Sequence, residues 1–526
     1  MLLSKFFRKY KIYRQINEPS QTSPTELPIS SNLESNISEI EKKLGAPSDL
    51  QIRRFFLGQN QQIQVALMFL DGLVDKDILK NNVMRPFMEA QIRPDEPVIA
   101  QILNSIMNVT IAQVETSMEK SIELLLQGKT LILFNGENKL IVMDARAASM
   151  RNVEEPVTES VVHGPREGFI ENLGINLSLI RRKIQNPNLR VETYQIGQQT
   201  NTNIALVYVH GIVKEELVAE VRRRLTRIRI ESVLDSGYIE QWIEDNPLSI
   251  FPTIAKSEKP DTIAGKILEG RVAILVDGSP VALMMPTVFI EFFQSVEDYY
   301  ARPYYASLTR FLRYIAFFIS TFLPALYIAF ENFQKELIPP PLLVGFSQSR
   351  EGVPFPLALE VLFMVIMFEW LREAGLRMPR PIGQAVSIVG ALVVGEAAVN
   401  ASMIGAPTVM IIAGAGITAF IIPELAEVSA LLRILSIIVS SVLGLYGLFL
   451  LWYGIAVYLA DVRSFGIPYL TPLAPMKFDE WKDFMIRFPL WRQNRRPDSL
   501  ETVNQRKIGD TSPPHPPDKS SKGKQP

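Results

Sequence analysis

The sequence predicts an α/β soluble N-terminal region of two related subdomains, followed by an α-helical polytopic membrane domain. Three observations carry this prediction. A pattern of strands and turns occurs twice between residues 46 and 300, and five apolar segments follow between residues 305 and 460. A third observation is the length of 526 residues, which is too great for one domain.

Composition excludes several classes of site. The chain contains no cysteine, which rules out disulfides, thiolate catalysis and zinc–thiolate centres. Its three histidines are far apart in sequence, and no nucleotide-binding or hydrolase motif occurs. The net charge of −1 gives no general case for nucleic-acid binding. We therefore predict no catalytic site, metal, cofactor or nucleic-acid partner, and a membrane-bound enzyme ranks third among the functional classes.

Both ends of the chain are predicted to lack a packed structure. Residues 1–45 combine a basic, aromatic start, MLLSKFFRKYKIYRQ, with a stretch rich in Ser, Asn, Pro and Glu, which is typical of an arm and a flexible linker. The arm is either frayed or held on anionic lipid headgroups. Residues 497–526 contain SPPHPPDKSSKGKQP and are predicted to be a disordered tail.

The soluble region is predicted to contain an internal duplication. QIRRFFLG, followed by QVALMFLDGLVDKDIL, resembles RVETYQIG followed by NIALVYVHGIVKEEL. Further on, LLQGKTLILFNGENKLIVMD (125–144) resembles ILEGRVAILVDGSPVALMMP (267–286), and each has an Asn-Gly or Asp-Gly turn that favours a hairpin. The two offsets are 139 and 142 residues, in the same order along the chain. Duplication of one α/β unit explains both similarities.

A connecting helix segment, 151–189, is predicted between the first subdomain (46–150) and the second (190–300). Acidic residues near the start of this helix and basic residues near its end match the helix macrodipole, which is an ordinary structural explanation for the charge. The alternative is that its charged residues couple the subdomains or neighbouring subunits. The apolar helical stripe consists of Phe169, Ile170, Leu173, Leu177, Ile180 and Ile184, and the candidate coupling residues are Arg166, Glu167, Arg181 and Arg182.

A membrane domain is predicted at 305–460. Its apolar segments are 310–330, 353–371, 382–403, 404–423 and 431–460. Seven basic residues in the following segment, 461–496, place that segment and both termini in the cytoplasm by the positive-inside rule. Both ends on one side require an even number of crossings. We therefore predict about four spanning helices and one re-entrant segment, which lies within 382–423.

Polar residues within the apolar segments are candidates for an ion path. Two interpretations are open, because such residues either bond neighbouring helices or face a water-filled path. Glu369 lies near the cytoplasmic end of its segment and could pair with Arg372. The candidate ion-path residues are Glu360, Met364 and Met367 on one helical face, and Glu396 and Asn400 on another.

Eight motifs occur in order along the chain: GPREGF, NLSLIRRK, FPTIAKSEKPD, LEGRVAILVDGSP, SVEDYY, FEWLREAG, SIVGALVVGEAAV and FGIPYLTPLAP. Together they resemble the A subunit of GerA-type spore germinant receptors, from about residue 45 to 490. The resemblance implies a subunit of a nutrient (germinant) receptor that triggers spore germination from the spore inner membrane.

The resemblance also implies partners. They are a transporter-like B subunit, a lipoprotein C subunit, the lipid bilayer and further A subunits in an oligomeric ring, taken to be a pentamer, around a nutrient-gated ion channel. Two alternatives remain. One is a secondary transporter, although the apolar half shows no inverted repeat. The other is a scaffold subunit without its own conductance.

Overall fold

A computed structural model describes residues 28–58, 63–93, 96–107, 112–146, 156, 159, 161, 163–378, 390 and 393–507. The predicted basic arm, much of segment 382–403 and the last 19 residues lie outside the described residues. The chain divides into two compact units, Met1–Arg151 with Ile184–Leu189, and Asn152–Lys183 with Arg190–Pro526.

The first unit contains a five-stranded antiparallel sheet in the spatial order β1-β2-β4-β5-β3. The central strands are apolar and buried, so the sheet core is closed on both faces. The strands are β1 (Leu50–Leu57), β2 (Ile63–Leu70), β3 (Ala112–Glu115), β4 (Thr130–Phe134) and β5 (Leu140–Met143). The helices are Leu33–Leu44, Lys76–Leu79, Arg85–Glu89, Val98–Gln101 and Met118–Leu126, with π-helical turns at Lys80–Met84 and Ile102–Ile106.

The second unit contains a sheet of the same design, in the order β6-β7-β9-β10-β8. This identical order confirms the predicted duplication. Both predicted hairpins form, with φ of +91° at Gly136 and +87° at Gly278, a conformation that favours glycine. The strands are β6 (Leu189–Ile196), β7 (Thr202–Val209), β8 (Ala255–Ser257), β9 (Val272–Val276) and β10 (Ala282–Met285). The helices around them are Leu173–Lys183, Glu215–Arg227, Ser236–Ile243 and Pro260–Leu268.

The helix Leu33–Leu44 corrects the prediction of an arm and linker over 1–45. Asn32 caps this helix by accepting a hydrogen bond from the Ser35 amide at 3.1 Å, and Gly45 ends it with φ of +72°. Its apolar residues recur at helical spacing and are buried. The linker prediction is wrong here because the polar composition of the segment concealed that stripe.

The helix Leu173–Lys183 is the counterpart of that first helix and packs on strands β7 and β9. Asn176 clamps the backbone of Ile170 with two hydrogen bonds, of 2.9 and 2.5 Å. Asn36 clamps the backbone of Ser30 in the same way, at 2.9 and 2.6 Å. The segment predicted to connect the subdomains therefore supplies the first helix of the second repeat, which is a correction of the prediction.

The helical region of the second unit begins after β10. Its first long helix, Pro303–Asn332, and the segment that includes its last long helix, Ala426–Asp461, are long and apolar enough to cross a bilayer. The remaining helices are Pro340–Ser349, Leu357–Arg377, 393–400 and Ala406–Ala419. Shorter 3-10 helices are Lys335–Leu337, Pro423–Leu425, Phe478–Asp483, Leu490–Arg492 and Asp498–Leu500, and a small hairpin joins β11 (Arg463–Ser464) to β12 (Ile467–Pro468). Four spanning helices plus a re-entrant segment stay a prediction.

The last long helix folds back on itself at Gly444, where φ is 59° and ψ is −143°. A Cβ at this position would lie 2.7 Å from the Phe333 ring, so the turn requires glycine. The interpretation of 431–460 as one span is therefore wrong, because the segment forms two antiparallel arms. The contacts with the first long helix show this reversal. Up to the turn, later residues contact later positions of the first long helix: Arg433 contacts Ser320, Ser440 contacts Ala325 and Gly444 lies against Phe333. After the turn, Trp452 contacts Phe322, which is an earlier position.

Pro324 interrupts the hydrogen bonding of the first long helix, and the last long helix compensates for it. Proline has no N–H, so the carbonyl of Ser320 loses its usual partner one turn later. The Arg433 guanidinium donates to that carbonyl at 2.6 Å, and the Ser436 hydroxyl donates to the Thr321 carbonyl at 3.0 Å. The two long helices are thereby locked in register at this level.

Residues 497–507 are folded, although the sequence predicts a disordered tail from residue 497. The guanidinium of Arg496 donates to the carbonyl of Leu268 at 2.7 Å, and Lys507 forms an ion pair with Glu269 at 3.2 Å. Local composition gives no sign of this contact with a distant helix. The tail prediction is therefore wrong for these eleven residues, and its remainder lies outside the described residues.

We expect Asn176→Ala to lower the thermal unfolding midpoint of the purified chain, because it leaves two backbone groups of Ile170 without their partner. The cost is about 1–3 kcal/mol for each buried group left unpaired. Asn188→Ala, at an exposed position, serves as the control. Equal midpoints for both variants would contradict the structural role of the asparagine clamp.

Candidate functional site: the junction of the second subdomain with the helical region

The chain passes from strand β10 to the first long helix through residues 286–302, which we call the junction. It contains the 3-10 helix Phe289–Phe293 and the one-turn helix Glu297–Tyr300. Asp298 accepts a hydrogen bond from the Ser295 amide at 3.2 Å, which fixes its carboxylate at the start of this turn. The SVEDYY motif therefore places one carboxylate directly beneath the first long helix.

Arg310, in the first long helix, is 0% exposed and lies at the centre of the junction. Its guanidinium is 2.8 Å from the Asp298 carboxylate and 2.7 Å from the Asp483 carboxylate. It also donates to the backbone carbonyl of Asp483 at 3.0 Å. A buried guanidinium is tolerated only when it is paired and hydrogen-bonded, so Arg310 requires both acidic partners.

Two further side chains complete this network. Arg313 lies 2.8 Å from the Asp298 carboxylate and donates to the Phe293 carbonyl at 3.1 Å. The Tyr299 hydroxyl donates to Asp483 at 2.7 Å. Burial and the neighbouring Asp483 carboxylate raise the pKa of Tyr299 well above its ordinary value, so the phenol remains neutral.

Aromatic packing surrounds the network and keeps water away from it. Phe293 stacks on Tyr314 of the first long helix, with ring centroids 4.2 Å apart. Phe484 contacts the other side of Tyr314 at 5.8 Å, edge to face. The same three chain segments that supply the charges therefore also supply the apolar cover.

A second charged group joins the sheet to the junction. Glu291 is paired with Lys266 at 2.7 Å and with Arg271. Burial opposes ionisation of Glu291, but the two cations outweigh it and hold the pKa of this carboxyl below its usual range. Ion pairs in both networks therefore join the sheet, the junction and the first long helix.

A cavity of about 460 Å³ lies beside the junction, between the second subdomain and the turn that precedes the last long helix. Glu159 lines it and accepts hydrogen bonds from the Ser257 hydroxyl at 2.9 Å and the Glu258 amide at 3.1 Å. Burial raises the pKa of Glu159 to about 7, and the charge of Glu424 adds to this shift. The cavity therefore contains one carboxyl group that titrates near neutral pH.

The motifs GPREGF and FPTIAKSEKPD meet beside this cavity. Lys259 is buried and donates to the Pro165 carbonyl at 3.2 Å. Asp261 accepts a hydrogen bond from the Tyr300 hydroxyl at 2.7 Å, and Tyr300 lies against Gly164 so closely that a Cβ there would be 2.6 Å from its ring. These contacts join motifs that are about 90 and 130 residues apart in sequence.

The predicted coupling residues occupy unlike places. Arg181 is 1% exposed, whereas Arg166 and Arg182 are exposed. Arg182 lies 3.4 Å from Glu167, which also pairs with Lys183 at 3.5 Å. The helix begins at Leu173, later than the predicted apolar stripe, since the Asn172 side chain accepts from the Ile175 amide at 3.1 Å.

The predicted ion-path residues also separate into two groups. Glu360 is 1% exposed and is held by Arg350 at 3.1 Å, the Gly405 amide at 3.0 Å and the Thr408 hydroxyl at 3.2 Å. Met364 is buried beside it and Met367 is half-buried. Glu396 and Asn400 are exposed, one turn apart on the helix 393–400.

The pair Glu369–Arg372 forms as expected, with 2.7 Å between the charged atoms. Arg433 joins it, at 2.9 Å from Glu369. Sequence reasoning gave no role to Arg310 or Arg433, although both stand within or next to apolar segments. A charged residue in such a segment is costly unless it is paired. Its presence was therefore the sequence signal from which a buried ion pair could have been predicted.

No group of three or more histidine, aspartate or glutamate side chains suited to a metal ion occurs within the part of the chain that the structure describes.

Comparisons with known proteins extend this picture. The family model described as "Bacillus/Clostridium GerA spore germination protein" matches residues 38–499. The chain belongs to the GerA family. It is 43% identical to spore germination protein KA of Bacillus subtilis over 93% of this chain and 90% of the relative. It is 39% identical to spore germination protein GerLA of Bacillus cereus, over 90% and 97%.

Two further similarities of this GerA-family chain are to a second protein of Bacillus subtilis and to a solved N-terminal domain. It is 37% identical to the uncharacterized membrane protein YfkQ of Bacillus subtilis, over 91% of this chain and 93% of that protein. Half of the chain also matches the crystal structure of the N-terminal domain of the A subunit of the Bacillus megaterium spore germinant receptor GerK3. That match has 32% identity, covers 98% of the domain and has a TM-score of 0.41.

We expect Arg310→Met to destabilise the GerA-family chain by about 3 kcal/mol, the lower end of the range for breaking a buried ion pair, because Asp483 loses its pairing with Arg310 and the buried Asp298 keeps only Arg313. Protein abundance in membranes and the unfolding midpoint in detergent would both fall. Arg302→Met, at an exposed site before the same helix, is the matched control. If the two variants behave alike, the network does not hold the junction together.

We expect Glu159→Gln to stabilise the chain above pH 7 and to have little effect at about pH 4. The pKa of Glu159 is raised from 4.5 to about 7, so the unfolded chain loses this proton at lower pH than the folded chain, and the stability of the natural chain falls as pH rises from 4.5 to about 7. The difference between the unfolding midpoints of the variant and the natural chain should increase over this range and stay constant above it. A difference independent of pH would rule out this titration.

Proposed function

We propose that this germinant-receptor A-subunit homologue is a membrane subunit of an oligomeric, nutrient-gated ion channel that triggers spore germination. The observation that carries the proposal is the Arg310 network at the junction. A displacement of the second subdomain moves Asp298, and the buried ion pair passes that displacement to the first long helix. A soluble domain joined in this way acts as a lever on the membrane region.

We propose six membrane crossings with both termini in the cytoplasm, in place of the four spanning helices and one re-entrant segment predicted from the sequence, because the segment 431–460 forms two arms. The five crossings given by described helices are Pro303–Asn332, Leu357–Arg377, Ala406–Ala419 with its flanking residues, and the two arms on either side of Gly444. The remaining one is the apolar segment predicted from the sequence at 382–403, much of which lies outside the described residues. The contact between Glu360 and the Gly405 amide supports this order. It brings together the starts of Leu357–Arg377 and Ala406–Ala419, which in the proposed order both cross toward the cytoplasm. Six crossings are an even number, so both termini lie on the same side, and the basic residues of 461–496 favour the cytoplasmic side.

The proposed ion path is lined by Glu396 and Asn400. Both are exposed in the single chain, so copies arranged in a ring could present them to a common axis, as carboxylate rings do in cation channels. Glu360, Met364 and Met367 instead position the helices around the path, since Glu360 already has partners within its own chain.

The proposed partners are those of the family. A transporter-like B subunit binds the nutrient, a lipoprotein C subunit completes the receptor, and A subunits form a homo-oligomer, taken as a pentamer, in the spore inner membrane. The exposed charges of Arg166 and Arg182 and the half-buried Glu167 are candidates for contact with a neighbouring subunit. Arg181 is buried and supports the fold of its own chain.

The test is the conductance of the purified receptor complex in planar bilayers. We expect nutrient-dependent channel opening, and a several-fold lower cation conductance for Glu396→Gln, because the variant removes one carboxylate from each subunit. Glu351→Gln, at an exposed site in the loop before Leu357–Arg377, is the matched control.

Three results would contradict the proposal in different ways. Nutrient uptake without conductance favours a secondary transporter. A complex without conductance or uptake leaves the chain as a scaffold subunit. Normal conductance of Glu396→Gln means that another segment lines the path.

A further inference from the structure

The second subdomain exposes large apolar side chains at one edge. Trp242 is 59% exposed, Leu248 is 98% exposed and Ile250 is 41% exposed. They lie in and just after the helix Ser236–Ile243, and we call these three residues the edge patch. Single exposed apolar residues are ordinary, but a group of large ones marks a surface that something covers.

The edge patch is adjacent to the end of the last long helix. Phe251 follows the patch and packs against Tyr458, with ring centroids 6.2 Å apart. The next residues are held by the segment after that helix, because the Tyr469 hydroxyl donates to the Pro252 carbonyl at 2.6 Å. Tyr458 is three residues from the helix end at Asp461. A membrane helix ends at the headgroup level, so the edge patch lies at that level too.

The direction of the helix Ser236–Ile243 gives the same placement. At its start, Asp235 accepts a hydrogen bond from Ser279, which lies in the β9–β10 turn. At its end, Glu244 accepts from Thr253, beside the membrane helix. Trp242 therefore occupies the end of the helix that is nearer the membrane. Leu234 is equally exposed but lies at the opposite end of the subdomain.

Charges near the edge patch do not oppose contact with a membrane. The nearby acids have partners, because Asp245 pairs with Arg224 and Glu244 accepts from Thr253. Tyr304 and Tyr305, at the start of the first long helix, are also exposed. Exposed aromatic residues are typical of the boundary between headgroups and acyl chains.

We propose that the edge patch is a lipid anchor, which inserts Trp242, Leu248 and Ile250 into the headgroup region of the adjacent leaflet. The inference rests on the proposed membrane function, because it takes the helical region to lie in a bilayer. The second subdomain is then attached twice, through the Arg310 network and through lipid. Lipid contact limits its movement to a tilt along the membrane surface.

The test uses the absence of native cysteine. Leu248→Cys carries a nitroxide label in the full chain, reconstituted in vesicles with anionic phospholipid, and its collision rates with oxygen and with a water-soluble nickel chelate are measured. Leu234→Cys is the exposed control at the far end of the subdomain, and Leu450→Cys, in the second arm of the last long helix, is the control for bilayer insertion. We expect nickel accessibility at Leu248 several-fold below that at Leu234, with oxygen accessibility between those of the two controls.

The outcomes are distinguishable. A label at Leu248 that is as nickel-accessible as Leu234, while Leu450 is inserted, overturns the anchor and leaves the proposed function intact. An aqueous label at Leu450 removes the bilayer assignment and both proposals with it. A label at Leu248 that is shielded from both reagents and shows spin–spin broadening at full labelling identifies a second copy as the occupant, which also overturns the anchor.

Discussion

Arg310 is the constraint on which the arrangement of the second unit depends. Placing a guanidinium where no water reaches it costs several kcal/mol, and only two well-placed carboxylates with added hydrogen bonds offset that cost. Those carboxylates, Asp298 and Asp483, come from segments on either side of the helical region. The end of the sheet, the first long helix and the C-terminal segment can therefore satisfy their charges in one mutual arrangement, and alternatives leave a charge stranded.

Paired arginines recur at other levels of the helical region, and each joins elements that the sequence separates. Arg433 links the last long helix to the carbonyl freed by Pro324 and to Glu369. Near the turn at Gly444, Arg350 lies 3.1 Å from Glu360 and 3.7 Å from Glu331. In an apolar environment these pairs fix the position of one helix along another, which apolar contacts alone do not fix. The helices are thus held in register at three levels along the helical region.

The duplicated α/β region could be predicted from the sequence because strands and Asn-Gly or Asp-Gly turns are local signals. The first helix of the first repeat could not, since its polar residues resemble a linker and its clamp, Asn36, acts through the backbone six residues earlier. Its counterpart in the second repeat was predicted as a helix, but as a connection between the subdomains and not as part of the repeat. Candidate residues with a local signal were also found, such as the Glu369–Arg372 pair. The Arg310 network was missed because its acidic partners lie 12 residues before and 173 residues after the arginine.

One glycine decides at which end of the helical region the chain finishes. With the backbone turned at Gly444, the final arm returns toward the start of the first long helix, and the residues after Asp461 reach the junction. A continuous helix of 36 residues would be about 54 Å long and would deliver those residues to the far end of the helical region. Asp483 would then be separated from Arg310 by the length of the first long helix. The closure of the second unit into one body therefore depends on a single backbone position.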